Sequence, residues 1–279
     1  MIIDAHVHIC PRDVRENREK FLDGEEEFAA IYKDPKARLV GAKELIEKMD
    51  QEGVDKSVVF GFPWRKKEHF RLNNDYVLEC ARKYPDRLIP FCCFSLDSPY
   101  VEDEIKRCIG EGARGVGEIA FYTRDMGKDE RKILSRVARI CEEANVPILL
   151  HTNEPVGHFY LGKSPMTLKN LYLVIKENPN TKWILAHLGG GLPFFGYLKR
   201  EVKDVLKNCW FDTAAMIFLY EPRALCVMMD AIGDEKFIFG TDYPLVPPSR
   251  YMKEFEKIEL DGTKRKKILG ENFFNIVAC

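Results

Sequence analysis

Short apolar runs alternate with longer amphipathic segments from one end of the chain to the other. The runs have strand length, and the segments between them repeat apolar positions every three to four residues. That pattern predicts parallel strands joined by helical crossovers. The predicted strands are eight: 1–9, 56–63, 88–96, 114–121, 147–153, 182–189, 209–216 and 236–245. Helices are predicted at 42–52, 73–84, 100–111, 129–144, 164–177, 194–207 and 221–232, with 261–277 closing the chain. Gly53 and Gly112 stand where helices should stop, and Pro85, Pro147 and Pro179 fall just past helical patterns. Eight strand–helix units close most simply into a (β/α)8 barrel, because a doubly wound open sheet calls for a glycine-rich turn after its first strand and none is present. The expected fold is therefore α/β, with residues 1–279 as one barrel domain undivided by a repeat or linker. The charged stretch 12–36 interrupts the pattern after the first strand; a connection of that length at this end of a barrel is expected to cover the mouth as a lid.

Composition narrows the classes of function. Lys plus Arg number 43 against 44 Asp plus Glu, a balance that argues against nucleic acid as the main partner. The basic run Lys264–Lys267 lies in a helical pattern and is expected to be a solvated face. No apolar stretch approaches the roughly 18 residues of a membrane span, and Met1-Ile2-Ile3-Asp4 runs straight into a strand, so the expected location is cytoplasmic. The nine cysteines are scattered without a Cys-x-x-Cys pair and are expected to be reduced core residues. Cys92 and Cys93 should point to opposite faces of one strand.

Both faces of a parallel barrel strand are buried, so a histidine or carboxylate within one is costly unless it is paired or binds a metal. The first strand reads Ile3-Asp4-Ala5-His6-Val7-His8, and a period of two sends Asp4, His6 and His8 to one face and Ile3, Ala5 and Val7 to the other. Similar residues close other strands: Glu118, His151, His187 and Asp242. Alternation pairs Val116 with Glu118, Leu149 with His151, Leu185 with His187 and Gly240 with Asp242, all toward the lumen. All lie at carboxyl ends, where such barrels place their catalysts. Four of the six histidines occupy these positions.

Imidazole and carboxylate donors suit a divalent ion, zinc first, with manganese, iron or nickel compatible with the same ligands. His6, His8, His151 and Asp242 can hold one metal and leave a place for water, acidified toward a pKa of about 7. Asp242 is then positioned to carry the proton, and His187 to polarise a substrate oxygen or bind a second ion. Glu118 bridges two ions, joins the ligands of one, or supports them by hydrogen bonding. The segment 153–163 after strand five should line the substrate pocket, with Asn153 and His158 in contact with substrate. Trp64, Arg65 and Tyr122 are further candidate contacts, in an aromatic and cationic wall with Phe62, Phe121 and Arg124.

Together Asp4-Ala5-His6-Val7-His8, His151, His187-Leu188-Gly189-Gly190, Gly240-Thr241-Asp242-Tyr243-Pro244 and Ile268-Leu269-Gly270-Glu271-Asn272 resemble the amidohydrolase superfamily, in its amidohydrolase-related branch. The resemblance implies a metal-dependent barrel in which His6, His8, His151 and Asp242 match metal ligands and His187 matches the histidine of strand six. It also implies hydrolysis of amides, esters or lactones, or else decarboxylation or hydration. Many binuclear members carry a carboxylated lysine near strand four; Glu118 in Gly-Glu-Ile looks more like the TatD-like deoxyribonuclease and phosphotriesterase-related branches, which leaves the number of ions, one or two, open. The expected function is a metal-dependent hydrolase acting on a small-molecule amide, ester or lactone. A non-oxidative decarboxylase or hydratase of an unsaturated or aromatic acid is the alternative on the same site, and a non-catalytic metal-stabilised binding protein a third reading. The expected partner is a small molecule, with room for a homo-oligomer.

Overall fold

A computed structural model describes residues 1–258 and 260–277 of the chain. Eight parallel strands run in sequence order around one sheet: β1 (Ile3–His8), β2 (Lys56–Phe60), β3 (Leu88–Cys92), β4 (Gly115–Ile119), β5 (Ile148–Leu150), β6 (Trp183–Leu185), β7 (Cys209–Asp212) and β8 (Phe237–Ile238). The seam between first and last strand is closed by backbone bonds from Ala5 N to Phe239 O (2.8 Å), from Asp242 N to His6 O (3.0 Å) and from His8 N to Tyr243 O (2.9 Å). The fold is the (β/α)8 barrel that the alternation predicts. No helix among the described residues is long and apolar enough to cross a membrane.

Crossover helices bury the stripe that their sequence dictates. In α3 (Ala42–Glu52) Ala42, Leu45 and Met49 face the barrel, and in α6 (Lys128–Glu143) Leu134, Val137, Ala138 and Cys141 do so, at the three-and-four spacing of one helical face. Between these lie α4 (Lys67–Lys83) and α5 (Val101–Gly110), and α7 (Leu168–Glu177) follows, capped by Thr167, whose side chain accepts from Asn170 N. Predicted helix 194–207 is instead broken: a 3₁₀ turn at Leu192–Tyr197 precedes a short helix at Arg200–Val205. Pro193 and Gly196 within that stretch explain the break. Predicted helix 261–277 divides into Gly262–Leu269 and a 3₁₀ turn at Glu271–Asn275. A further helix, Pro248–Lys257, stands where the periodicity predicts only a connection; Pro248 opens it, and Tyr251 and Phe255 anchor it.

The segment after β1 folds into α1 (Arg12–Glu16), a 3₁₀ turn (Arg18–Phe21) and α2 (Glu26–Tyr32). Its buried acids fasten it to the barrel mouth. Glu25 accepts from Arg65 N (2.6 Å), Lys66 N (2.9 Å) and His69 Nδ1 (2.7 Å) after β2, and Glu27 accepts from Tyr122 N (2.6 Å) and Thr123 Oγ1 (2.9 Å) after β4.

Strict alternation fails where the polar residues stand. Ile3 and Ala5 pack in the lumen with Val58, Phe60, Phe91 and Ile184, whereas Val7 packs outside with Val59, Leu45 and Met49. A register shift between Asp4 and Val7 changes the facing, so His6 turns inward with Ala5 rather than opposite to it. A second shift between Val116 and Ile119 likewise puts Val116 in the outer layer while Glu118 faces inward. Leu185 is also outside, with Ile184 and Ala186 inside, and His187 reaches the lumen from a left-handed backbone at φ 56°. Cys92 and Cys93 do divide between the outer and inner layers. The described cysteines are free thiols, all buried except the half-buried Cys226, and Cys279 lies outside the described residues.

Candidate metal centre and active site

Six side chains from different parts of the barrel meet at its carboxyl end: His6, His8, Glu118, His151, His187 and Asp242. Glu118 is the hub. Its Oε2 lies 3.7 Å from His6 Nε2 and 3.6 Å from His8 Nε2, while its Oε1 lies 2.9 Å from His151 Nδ1 and 3.5 Å from His187 Nε2. Asp242 Oδ1 stands 3.8 Å from His6 Nε2 and 3.4 Å from His8 Nε2. Gly117 makes the hub possible, since a Cβ there would come within 2.2 Å of Leu149 O.

The outward nitrogen of each ring fixes the role of the inward one. His8 Nδ1 donates to Gly61 O (2.9 Å), His187 Nδ1 to Ala214 O (2.9 Å) and His151 Nε2 to Gly162 O (3.0 Å); a carbonyl only accepts, so each of these nitrogens carries the proton. His6 Nδ1 faces the buried carboxylate of Asp212 at 2.9 Å. In the neutral rings, the nitrogens left over are lone pairs directed at one another and at two carboxylates. His187 Nε2 and His151 Nδ1 stand only 3.1 Å apart, and His6 Nε2 is buried with no hydrogen-bond partner. Such a cluster of acceptors without a donor is stable only around a cation, either protons or a metal ion.

Electrostatics agree with this geometry. Burial lowers the His6 pKa, but Asp212, Glu118 and Asp242 outweigh it and lift the value to about 10. Burial raises that of Asp242, yet His8, His6 and His187 bring it down to about 2. Glu118 is held well below the ordinary carboxylate range by His6 and His151 against the pull of burial. The His151 pKa is lowered by burial, and that of His187 is raised by Glu118 despite burial.

The candidate substrate contacts divide. Tyr122 is beside the cluster, its ring 4.7 Å from that of His151. Trp64 is fully buried beneath the insertion, 4.2 Å from Phe28, with its indole N–H donating to Asn73 Oδ1 (3.0 Å). Arg65 pairs with Glu26 and Asp97. Asn153 is buried and braces its loop, accepting from Ser164 N (2.7 Å), and His158 is exposed against Tyr160. Two residues absent from the sequence reading enter here. Tyr32 of α2 packs 4.6 Å from Phe62, which stacks on His8 at 5.3 Å; burial and the nearby Asp242 push its phenol well above the usual range. Asp212 ends β7 as a fully buried carboxylate, the same signal that singled out Glu118.

Relatives define the setting. The chain is 22% identical to the 2-amino-3-carboxymuconate-6-semialdehyde decarboxylase of Caenorhabditis elegans, across 87% of this chain and 85% of that one. It is 21% identical to the gamma-resorcylate decarboxylase of Polaromonas sp., across 99% and 94%. Among solved structures, the 5-carboxyvanillate decarboxylase of Novosphingobium aromaticivorans, complexed with manganese and 4-hydroxy-3-methoxy-5-nitrobenzoic acid, superimposes with a TM-score of 0.77 at 17% identity, covering 99% of this chain and 95% of that one. The hydrolase expectation is thereby overturned in favour of its alternative: these relatives are decarboxylases, and the same donors serve either reaction. The metal in that solved neighbour is manganese, where the sequence reading puts zinc first. Residues 3–272 match the amidohydrolase family model, and with the barrel and the lumen-facing histidines in place the chain belongs to that enzyme family.

Proposed function

We propose that this protein is a metal-dependent, non-oxidative decarboxylase of a small aromatic or unsaturated carboxylic acid. The observation that carries the reading is the convergence of acceptors with no donor among them, together with relatives that decarboxylate such acids. His6, His8, Asp242 and Glu118 would hold a divalent cation, and Glu118, His151 and His187 offer a second donor set on the other oxygen of the same carboxylate. The mixture of imidazole and carboxylate suits manganese as well as zinc. When bound, the cation supplies positive charge that anchors and polarises the oxygens of the substrate.

The chain's own groups account for binding and proton transfer. Phe62, Tyr32 and Tyr122 form an aromatic boundary on which a planar acid packs. Decarboxylation exchanges a C–C bond for a C–H bond, so a proton must reach the ring carbon while carbon dioxide departs and leaves its electron pair behind. Asp242, 17% exposed, meets substrate more readily than Glu118, which is 2% exposed. Asp242 is ionised at neutral pH, so it first takes up a proton, from solvent or from a hydroxyl where the substrate carries one, and then delivers it to the carbon; a hydroxyl so used regains its proton from solvent. His187, held through Nδ1 by Ala214 O and with its pKa raised by Glu118 despite burial, donates to the departing carboxylate from Nε2 as the imidazolium when no second ion is bound there.

The test is a panel of hydroxybenzoic and unsaturated acids, esters and lactones, assayed with manganese for carbon dioxide and hydrolysis products. Carbon dioxide release without hydrolysis is expected; ester or lactone cleavage without carbon dioxide overturns the reading.

A further inference from the structure

Asp212 has no assigned role, and its surroundings are unusually specific. It is fully buried at the end of β7. Its Oδ2 lies 2.9 Å from His6 Nδ1, while Oδ1 accepts from the backbone N–H of His187 (2.9 Å) and of Ala214 (3.0 Å). One carboxylate thus reaches both donor sets: the ring of His6 in the first and the backbone of His187 in the second. His187 and Leu188 both occupy the left-handed region, at φ 56° and 54°, a conformation that L side chains rarely adopt and that needs outside support. Asp212 gives part of that support, with Tyr220 OH donating to His187 O (3.1 Å). The chain just past β8 makes room for it: a Cβ on Gly240 would stand 3.0 Å from His6 Cβ and 3.1 Å from Asp212 Cβ.

We propose that Asp212 is the positioning residue of this centre, keeping the His6 proton on Nδ1 so that the Nε2 lone pair faces the cation, and fixing the backbone that carries His187. The inference rests on the metal reading of the same site. An asparagine separates this role from mere filling of space. Its carbonyl oxygen continues to accept from His187 N and Ala214 N, but its amide presents a donor to His6 Nδ1. His6 must then accept at Nδ1 and carry its proton at Nε2, the nitrogen needed by the metal.

The experiment compares wild type and Asp212→Asn by manganese titration, with thermal unfolding of the metal-free proteins as the control for folding. Histidine tautomers are read from long-range nitrogen–proton spectra of the zinc-loaded wild type. Expected are a manganese affinity weakened about 10- to 100-fold in a variant that still folds, and a His6 protonated at Nδ1 and metallated at Nε2 in the wild type. Gly240→Ala, which crowds the pair without altering charge, should weaken the affinity in the same direction and stands in if Asp212→Asn does not fold. A folded Asp212→Asn binding manganese within about twofold of wild type, or a wild-type His6 metallated at Nδ1, overturns the proposal. A wild type that binds neither ion overturns the underlying metal reading instead.

Discussion

His8 illustrates how much a single residue discloses. A histidine at the end of a buried parallel strand is costly on its own, and its partner His6 two residues away made a shared ion the economical explanation. What the sequence could not display was the other side of each ring. Gly61 O, Ala214 O and Gly162 O are backbone atoms in distant loops, and they decide which nitrogen is left to face the cluster. Trp64 shows the converse: an aromatic after a strand end reads as a pocket wall, yet its N–H is taken by Asn73, whose amide also donates to Ile9 O (3.0 Å). Asn73→Ala strands a buried donor and a buried acceptor. Thermal or denaturant unfolding should show a loss of about 1–3 kcal/mol, and a loss below measurement error would mean that these bonds are replaced by water. His8→Ala should lower the bound manganese measured by elemental analysis after dialysis. Full occupancy would remove His8 from the ligand set.

Among the elements, the strands and most helices are legible because their periodicity is local, whereas the breaks in 194–207 and 261–277, the helix Pro248–Lys257 and the register shifts in β1 and β4 are not. A bulge is fixed by what the neighbouring strand presents, and nothing in Asp4-Ala5-His6 announces it. The docked insertion was legible as a long charged connection, but not the use of its charges. Glu25 and Glu27 turn inward, and burial raises both pKa values above the ordinary glutamate range despite the hydrogen bonds they accept. An acid that is more basic in the folded state stabilises docking fully below its unfolded value, and that contribution is lost as pH rises through the folded value. Protection of residues 12–40 from proteases should therefore fall as pH is raised above about 4.5, with a flatter profile in Glu27→Gln. A Glu27→Gln profile with the wild-type slope would assign the effect to other groups.

For the whole molecule, the barrel follows from alternation alone, and the family from residues spread across its length. The reaction did not follow, because hydrolysis and decarboxylation ask for the same cation and the same acid; the difference lies in the substrate, and relatives rather than ligand spacing tilt the choice. A cation that binds only the folded chain must also stabilise it. Manganese at 100 times its dissociation constant should add about 2.7 kcal/mol to unfolding, seen as a melting temperature that climbs with concentration and returns with a chelator. Binding should tighten as pH rises, because the ion displaces protons held by groups such as His6. The most direct measurement is an anomalous difference map from crystals soaked in manganese. A strong peak enclosed by His6, His8, Asp242 and Glu118 is predicted, while an ordered cluster with no peak there, its histidines still directed at one another, would contradict the account.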